Sequence, residues 1–201
     1  MLSERGKRII LNILGIFFIT LGITAVLNTI YQGNLEHILW SSFFILLLVG
    51  IGILRRSTFL IVGLINIAAI PYTLWSIDFI YLVSTGQSLL GITDYFFIPG
   101  PLLGKIITLQ HLFTVPLSFY AIYLIKLKRN DAWKLSFILL ISIFFVTRLF
   151  TSEENNINCV FSSCLNIPIQ GYYPIIWFTL SFSMVILTNF LINRMGFLRE
   201  K

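Results

Sequence analysis

His111, Asp78 and Asp94 are the residues of this chain best suited to moving a proton. An imidazole can accept one near neutral pH, and a carboxyl group beside it can orient the ring or act as the acid. His111 stands in Thr108-Leu109-Gln110-His111-Leu112-Phe113-Thr114-Val115-Pro116, and Asp78 in Trp75-Ser76-Ile77-Asp78-Phe79. Groups that could hold a substrate accompany them: Arg148, Glu154, Asn156 and Asn158, with Trp75 and Tyr95. A guanidinium suits a phosphate or carboxylate, and asparagines offer donors and acceptors without charge, as a polar pocket or oxyanion site needs.

Each of these residues also has a plainer reading. His111 could satisfy a carbonyl of a neighbouring helix, and Thr93-Asp94 could cap a turn. Arg148 could pair with Asp78 or Glu154, hold a lipid phosphate, or snorkel to the interface. The run Asn155-Asn156-Ile157-Asn158 could be a turn. Cys159 and Cys164, the only cysteines, fall in one loop and read as a local disulfide on an oxidising face. His37 and His111 would join a zinc or haem site only if the loops folded inward, so neither metal nor cofactor is expected.

The elements that must position these groups are membrane helices. Of the residues, 57% are hydrophobic and 11% charged, against roughly a quarter charged in soluble domains. The chain reads as one all-α integral membrane domain, a bundle of six transmembrane helices over 8–30, 36–54, 57–83, 104–126, 132–150 and 172–194. The basic N-terminus resembles the start of a signal peptide, but the apolar run to Tyr31 is too long and no small-x-small site follows, so the segment is expected to be retained. Pro71 and Pro116 should kink the third and fourth helices by freeing the carbonyls of Ile67 and Leu112.

Of fourteen Lys and Arg residues, only Lys105 and Arg148 fall on one side of these spans. The positive-inside rule then puts both termini in the cytoplasm of a multi-pass cell-membrane protein. The net charge of +6 sits in hems at helix ends, not on a continuous basic face, which argues against nucleic acid and for membrane lipids as the partner. The outer loops, 84–103 and 151–171, are longer than hairpins require, and the apolar first one should lie in the interface or dip back into the protein. His111 lies six residues below Lys105, about 9 Å down the helix. Asp78, Asp94, His111 and Arg148 are expected in one cluster at the outer ends of spans three to five.

The strings Leu39-Trp40, Trp75-x-x-Asp78-Phe79 and Gly86-x-x-Leu89-Leu90-Gly91-x-Thr93-Asp94-Tyr95-x-Phe97 resemble a family of uncharacterised prokaryotic integral membrane proteins. The resemblance continues with His111-Leu112-x-x-x-Pro116 and with Thr151-x-x-Glu154-x-Asn156-Ile157-Asn158-x-Val160, covering residues 37–165. Cys159 stands where that family carries an aromatic, so the disulfide would be peculiar to this member. In architecture the chain is also similar to the group of transmembrane protein 164 and the androgen-induced membrane hydrolases, which implies acyl-transfer or hydrolytic chemistry.

Three functions fit. The first is a lipid-directed hydrolase or acyltransferase at the outer leaflet. His111 would be its base, Asp78 or Asp94 its partner, and Arg148, Asn156 and Asn158 would hold charge on a lipid or lipid-linked substrate. Thr93 or Thr114 could be the nucleophile, though no nucleophile-elbow motif marks one. The second is a small transporter or channel with an outer vestibule, against which Asn12, Asn66 and Asn189 read as isolated interhelical hydrogen bonds. The third is a non-catalytic membrane subunit whose polar residues pin the helices together.

Overall fold

The basic N-terminus and the first apolar run form a single helix, α1 (Glu4–Tyr31), in which Ser3 Oγ accepts from Gly6 N at 3.1 Å. The computed structural model describes residues 2–165 and 171–199; part of the expected 151–171 loop therefore lies outside the described residues. The other helices are α2 (Ser41–Leu54), α3 (Thr58–Thr85), α4 (Leu102–Thr108), α5 (Gln110–Ile125), α6 (Trp133–Phe150) and α7 (Tyr173–Arg194). The described residues contain no β-strand, only one isolated bridge between Leu127 and Arg199. Among the described residues five spans are long and apolar enough to cross a membrane: α1, α3, α4 with α5 as Leu102–Ile125, α6 and α7.

Two of the expected spans differ. The segment 36–54 is not one helix, because Leu35–Leu39 is a tight 3-10 turn and Trp40 separates it from α2. The 14 residues of α2 reach about 21 Å, short of the ~30 Å hydrocarbon core. The segment 104–126 is interrupted at Leu109, upstream of Pro116, which sits inside continuous helix. At the interruption Leu112 N donates to Leu109 O at 3.0 Å, as in a tightened turn, and so leaves the Thr108 carbonyl free.

α3 is the hub, packing against α2, α5, α6 and α7, while α1 lies along α2. Ile61, Val62, Leu64 and Ile65 of α3 are buried together with Phe18, Leu46, Val49, Ile53, Ile122 and Ile192. α1 and α2 approach closely because glycines meet: a Cβ on Gly50 would lie 2.7 Å from the Gly15 carbonyl oxygen. In the same core Asn66 Nδ2 donates to Ser136 Oγ and Asn189 Oδ1, each at 3.2 Å, tying α3 to α6 and α7. Asn12 Oδ1 accepts from Arg56 Nη2 at 2.7 Å. Asn66 and Asn189 are thus interhelical links, as their isolation implied, whereas Asn12 ties α1 to the α2–α3 turn. Large apolar side chains such as Ile13, Ile16, Leu149, Phe150, Ile186 and Leu187 face outward, as lipid-facing positions do.

Candidate functional site

Gly86 ends α3 in the left-handed conformation at φ 75°, a stop that glycine adopts without a Cβ penalty. The chain then turns back, and residues 88–93 close over Asp78. Asp78 Oδ1 accepts from Leu89 N at 2.8 Å and Leu90 N at 2.6 Å. Asp78 Oδ2 accepts from Ile92 N at 3.1 Å, Thr93 N at 3.0 Å and Thr93 Oγ1 at 2.7 Å. Ser88 Oγ lies 3.2 and 3.3 Å from the two oxygens and accepts from Gly91 N at 2.6 Å. Asp78 and Thr93 are both fully buried. Every partner is a donor, so both carboxyl oxygens are filled by the loop.

One turn below, Trp75 stacks on Phe79 at 5.0 Å and on His111 at 4.8 Å, and its Nε1 donates to Tyr95 OH at 2.9 Å. The imidazole also meets Tyr72 edge-on at 4.4 Å. His111 Nδ1 lies 2.7 Å from Thr108 O, the carbonyl left free at the interruption of the helix. A carbonyl only accepts, so Nδ1 carries the hydrogen and Nε2 the lone pair. Gln110 Nε2 sits 3.2 Å from both ring nitrogens, and Gln110 Oε1 is 2.6 Å from Thr114 Oγ1. The imidazole thus satisfies a carbonyl of its own span.

The second long loop forms a separate cluster. Asn158 Oδ1 accepts from Ser41 N at 2.8 Å, and its Nδ2 donates to Leu39 O at 2.8 Å and Thr147 Oγ1 at 2.9 Å. Trp177 Nε1 donates to Asn158 O at 3.2 Å, so this one residue joins α2, α6 and α7. Asn156 Oδ1 accepts from Phe161 N at 3.1 Å and Ser162 N at 3.2 Å, closing the loop on itself. Asn156 at φ 40° and Asn158 at φ 55° adopt left-handed backbone, which asparagine tolerates better than most residues. Cys159 and Cys164 sit at disulfide distance within this loop, their Cα atoms 5.6 Å apart.

The expected single cluster is therefore two. No side-chain hydrogen bond joins Asp78 or His111 to Arg148, Asn156 or Asn158 among the described residues. Arg148 pairs with neither Asp78 nor Glu154. Its Nη1 donates to Val160 O at 2.7 Å, and its guanidinium lies over the Phe161 ring at 4.8 Å. The physical reason is that the 88–93 loop already fills the Asp78 carboxyl, whereas the Val160 carbonyl lies directly beside Arg148. Asp94 and Glu154 are exposed. Ion pairs among the described residues occur only at the basic end, between Glu4 and Lys7 and from Asp131 to Arg129 and Lys134.

Glu36 was missed by the sequence reading and is central to the second cluster. Its Oε2 accepts from Ser152 N at 2.8 Å, Ser152 Oγ at 2.9 Å and Asn155 Nδ2 at 2.9 Å. These bonds, the Asn155 carboxamide first, hold the Glu36 carboxyl below its ordinary value. Glu36 lines a shallow cleft of about 220 Å³ with Asn34, His37 and Asn155. A second cleft, of about 510 Å³, opens at the basic end, and neither of these two is lined by Asp78, Asp94, His111 or Arg148. No group of three or more His, Cys, Asp or Glu among the described residues is placed to hold a metal. Gln110 was also missed; its signal was the buried polar spacing Gln110, Thr114, Ser118 along one face of α5.

No protein-family model, curated protein or solved structure matches the chain.

Proposed function

We propose that this chain is a non-catalytic integral membrane subunit, both termini cytoplasmic, whose two outer loops form a platform clamped onto the helices. The observation that carries this reading is the complete occupation of Asp78. A catalytic carboxyl keeps a lone pair or proton facing a space where substrate can sit, and here loop amides and hydroxyls fill both oxygens. Arg148, Asn156 and Asn158 are likewise taken up by backbone groups of their own surroundings. Loop residues Leu89, Phe97 and Ile98 are more than half exposed, which suits a seat against lipid or a membrane partner.

A second reading, a lipid-directed hydrolase or acyltransferase using His111, is favoured by one observation. The buried Tyr72 hydroxyl makes no hydrogen bond of good geometry, and its ring lies against an imidazole whose Nε2 lone pair is met only by Gln110. One experiment separates the two readings: comparative lipidomics of cells carrying wild type, His111→Gln or no gene, with membrane accumulation measured in parallel. The subunit reading expects no lipid class to change between wild type and His111→Gln at equal accumulation. A lipid that builds up in both the variant and the deletion would overturn it in favour of the enzyme.

A further inference from the structure

At the end of the bundle opposite the loops, α1, the α2–α3 turn and the end of α5 enclose the cleft of about 510 Å³. Five cationic side chains and one carboxylate line it. The carboxylate, Glu4, is already paired with Lys7 at 2.7 Å. Arg56 is a wall of the cleft: it donates to Ile53 O, to Asn12 Oδ1 at 2.7 Å and to Arg8 O at 3.3 Å, fixing the α2–α3 turn onto α1. Burial, and then the nearby Arg8 charge, lower the Arg56 pKa from its ordinary value.

Arg5, Arg8 and Lys128 remain. All three are exposed, and their side chains make no hydrogen bond or ion pair among the described residues. Of the cations outside the cleft at this end, Lys126 bonds Phe197 O, Arg129 and Lys134 meet Asp131, and Arg199 bonds Asn193 O and Asn130 Oδ1; Arg55 and Arg194 make no side-chain hydrogen bond or ion pair among the described residues but do not line the cleft. Beneath the unpaired cations, buried Leu11 and Leu124 give the cleft an apolar floor. The N-terminus of the long helix α1 adds its partial positive charge at the same mouth. Guanidinium and ammonium groups over an apolar floor match a phosphate with a hydrocarbon portion beneath it.

We propose that this cleft binds an anionic phosphate group between Arg5, Arg8 and Lys128, carried by a membrane lipid headgroup or by a soluble phosphate ester. The site is at the opposite end of the bundle from the loops and does not depend on how their function is read.

The test uses the full chain purified in detergent. Native mass spectrometry counts retained phosphatidylglycerol against phosphatidylcholine, and a thermal-shift titration with glycerol 3-phosphate supplies the soluble arm. Near an anionic surface each cation is worth about a fivefold change in affinity. Arg5→Gln/Arg8→Gln/Lys128→Gln together should therefore weaken binding by at least about tenfold. The control Lys134→Gln/Arg194→Gln removes charge outside the cleft and should leave binding within about twofold. Selective retention of phosphatidylglycerol, lost in the triple variant and kept in the control, supports a lipid source. Stabilisation by glycerol 3-phosphate with the same variant pattern supports a soluble one. Equal retention of both lipids together with no thermal shift, or equal losses in triple variant and control, overturns the proposal. Should the triple variant not purify, Lys128→Gln alone serves, and binding unchanged there overturns it equally.

Discussion

Thr93 grips Asp78 twice, donating to Oδ2 from its amide at 3.0 Å and from its hydroxyl at 2.7 Å, with both residues fully buried. The Thr-Asp-Tyr string thus works through its threonine, reaching back fifteen residues to α3, while Asp94 beside it is exposed. Asp78→Asn replaces one acceptor oxygen by a donor facing amide N–H groups and should cost about 2–4 kcal/mol. Thr93→Val keeps the shape and loses one bond, at about 1 kcal/mol. Melting temperatures in detergent should fall in that order; an Asp78→Asn protein as stable as wild type would contradict the assignment.

His111 and the Thr108 carbonyl form the second joint. His111→Phe keeps the ring between Tyr72 and Trp75 but leaves that carbonyl unpaired, at about 1–2 kcal/mol. His111→Ala also opens a cavity and should cost about 3–4 kcal/mol. Thermal unfolding of the two variants checks the order; equal losses would mean that the ring packing contributes nothing.

The Asn158 side chain links α2 to α6 and its backbone carbonyl reaches α7, all at left-handed backbone. Asn158→Ala removes three hydrogen bonds and keeps a Cβ at φ 55°, with an expected loss of about 3 kcal/mol. Asn158→Gly relieves the backbone and should recover about 1 kcal/mol of that. Unfolding midpoints that place glycine below alanine would refute the strain argument.

Glu36 gives the second loop a pH dependence. Its carboxyl binds a proton less readily in the folded chain than in the unfolded one, because Asn155 and then Ser152 donate to the ionised form. The stabilisation is complete above the ordinary glutamate value and disappears as pH falls through the lowered folded value. Protection of the Ser152 amide from hydrogen exchange, corrected for intrinsic rates, should drop across that acid window in wild type. In Glu36→Gln it should be low and flat; an unchanged wild-type profile would contradict the linkage.

The glycine contact between α1 and α2 has no room for a methyl group. Gly50→Ala would place a Cβ 2.7 Å from Gly15 O and 2.9 Å from Ile19 N, and forcing the helices apart should cost about 1–3 kcal/mol. Gly33→Ala has open space around it but sits at φ 76°, so its cost, about 1–2 kcal/mol, is backbone strain alone. Comparing the two by thermal unfolding with Asn34→Ala as an unstrained loop control distinguishes crowding from strain.

The helices were legible because lipid imposes a length and a hydropathy that the letters display directly. Isolated Asn66 and Asn189 were legible too, since an amide in an apolar run needs a partner on another helix. The interruption at Leu109 was not, because proline is the familiar signal and the tightened turn carries none. The single cluster was inferred from shared depth, but depth fixes only one of three coordinates. Which helices are neighbours then put Asp78 and His111 in one place and Arg148 and Asn158 in another. Glu36 resembled an ordinary interfacial acid, and only the fold of a loop more than a hundred residues away shows its partners.

The central claim, that the polar residues at the loop end hold the loops down, is most directly tested by hydrogen exchange of the Leu89, Leu90, Ile92 and Thr93 amides. These four N–H groups all end on Asp78. Wild type should protect them far beyond the neighbouring exposed amides, and Asp78→Asn should release them together. Exchange of all four at the rate of an open loop in wild type would contradict the account.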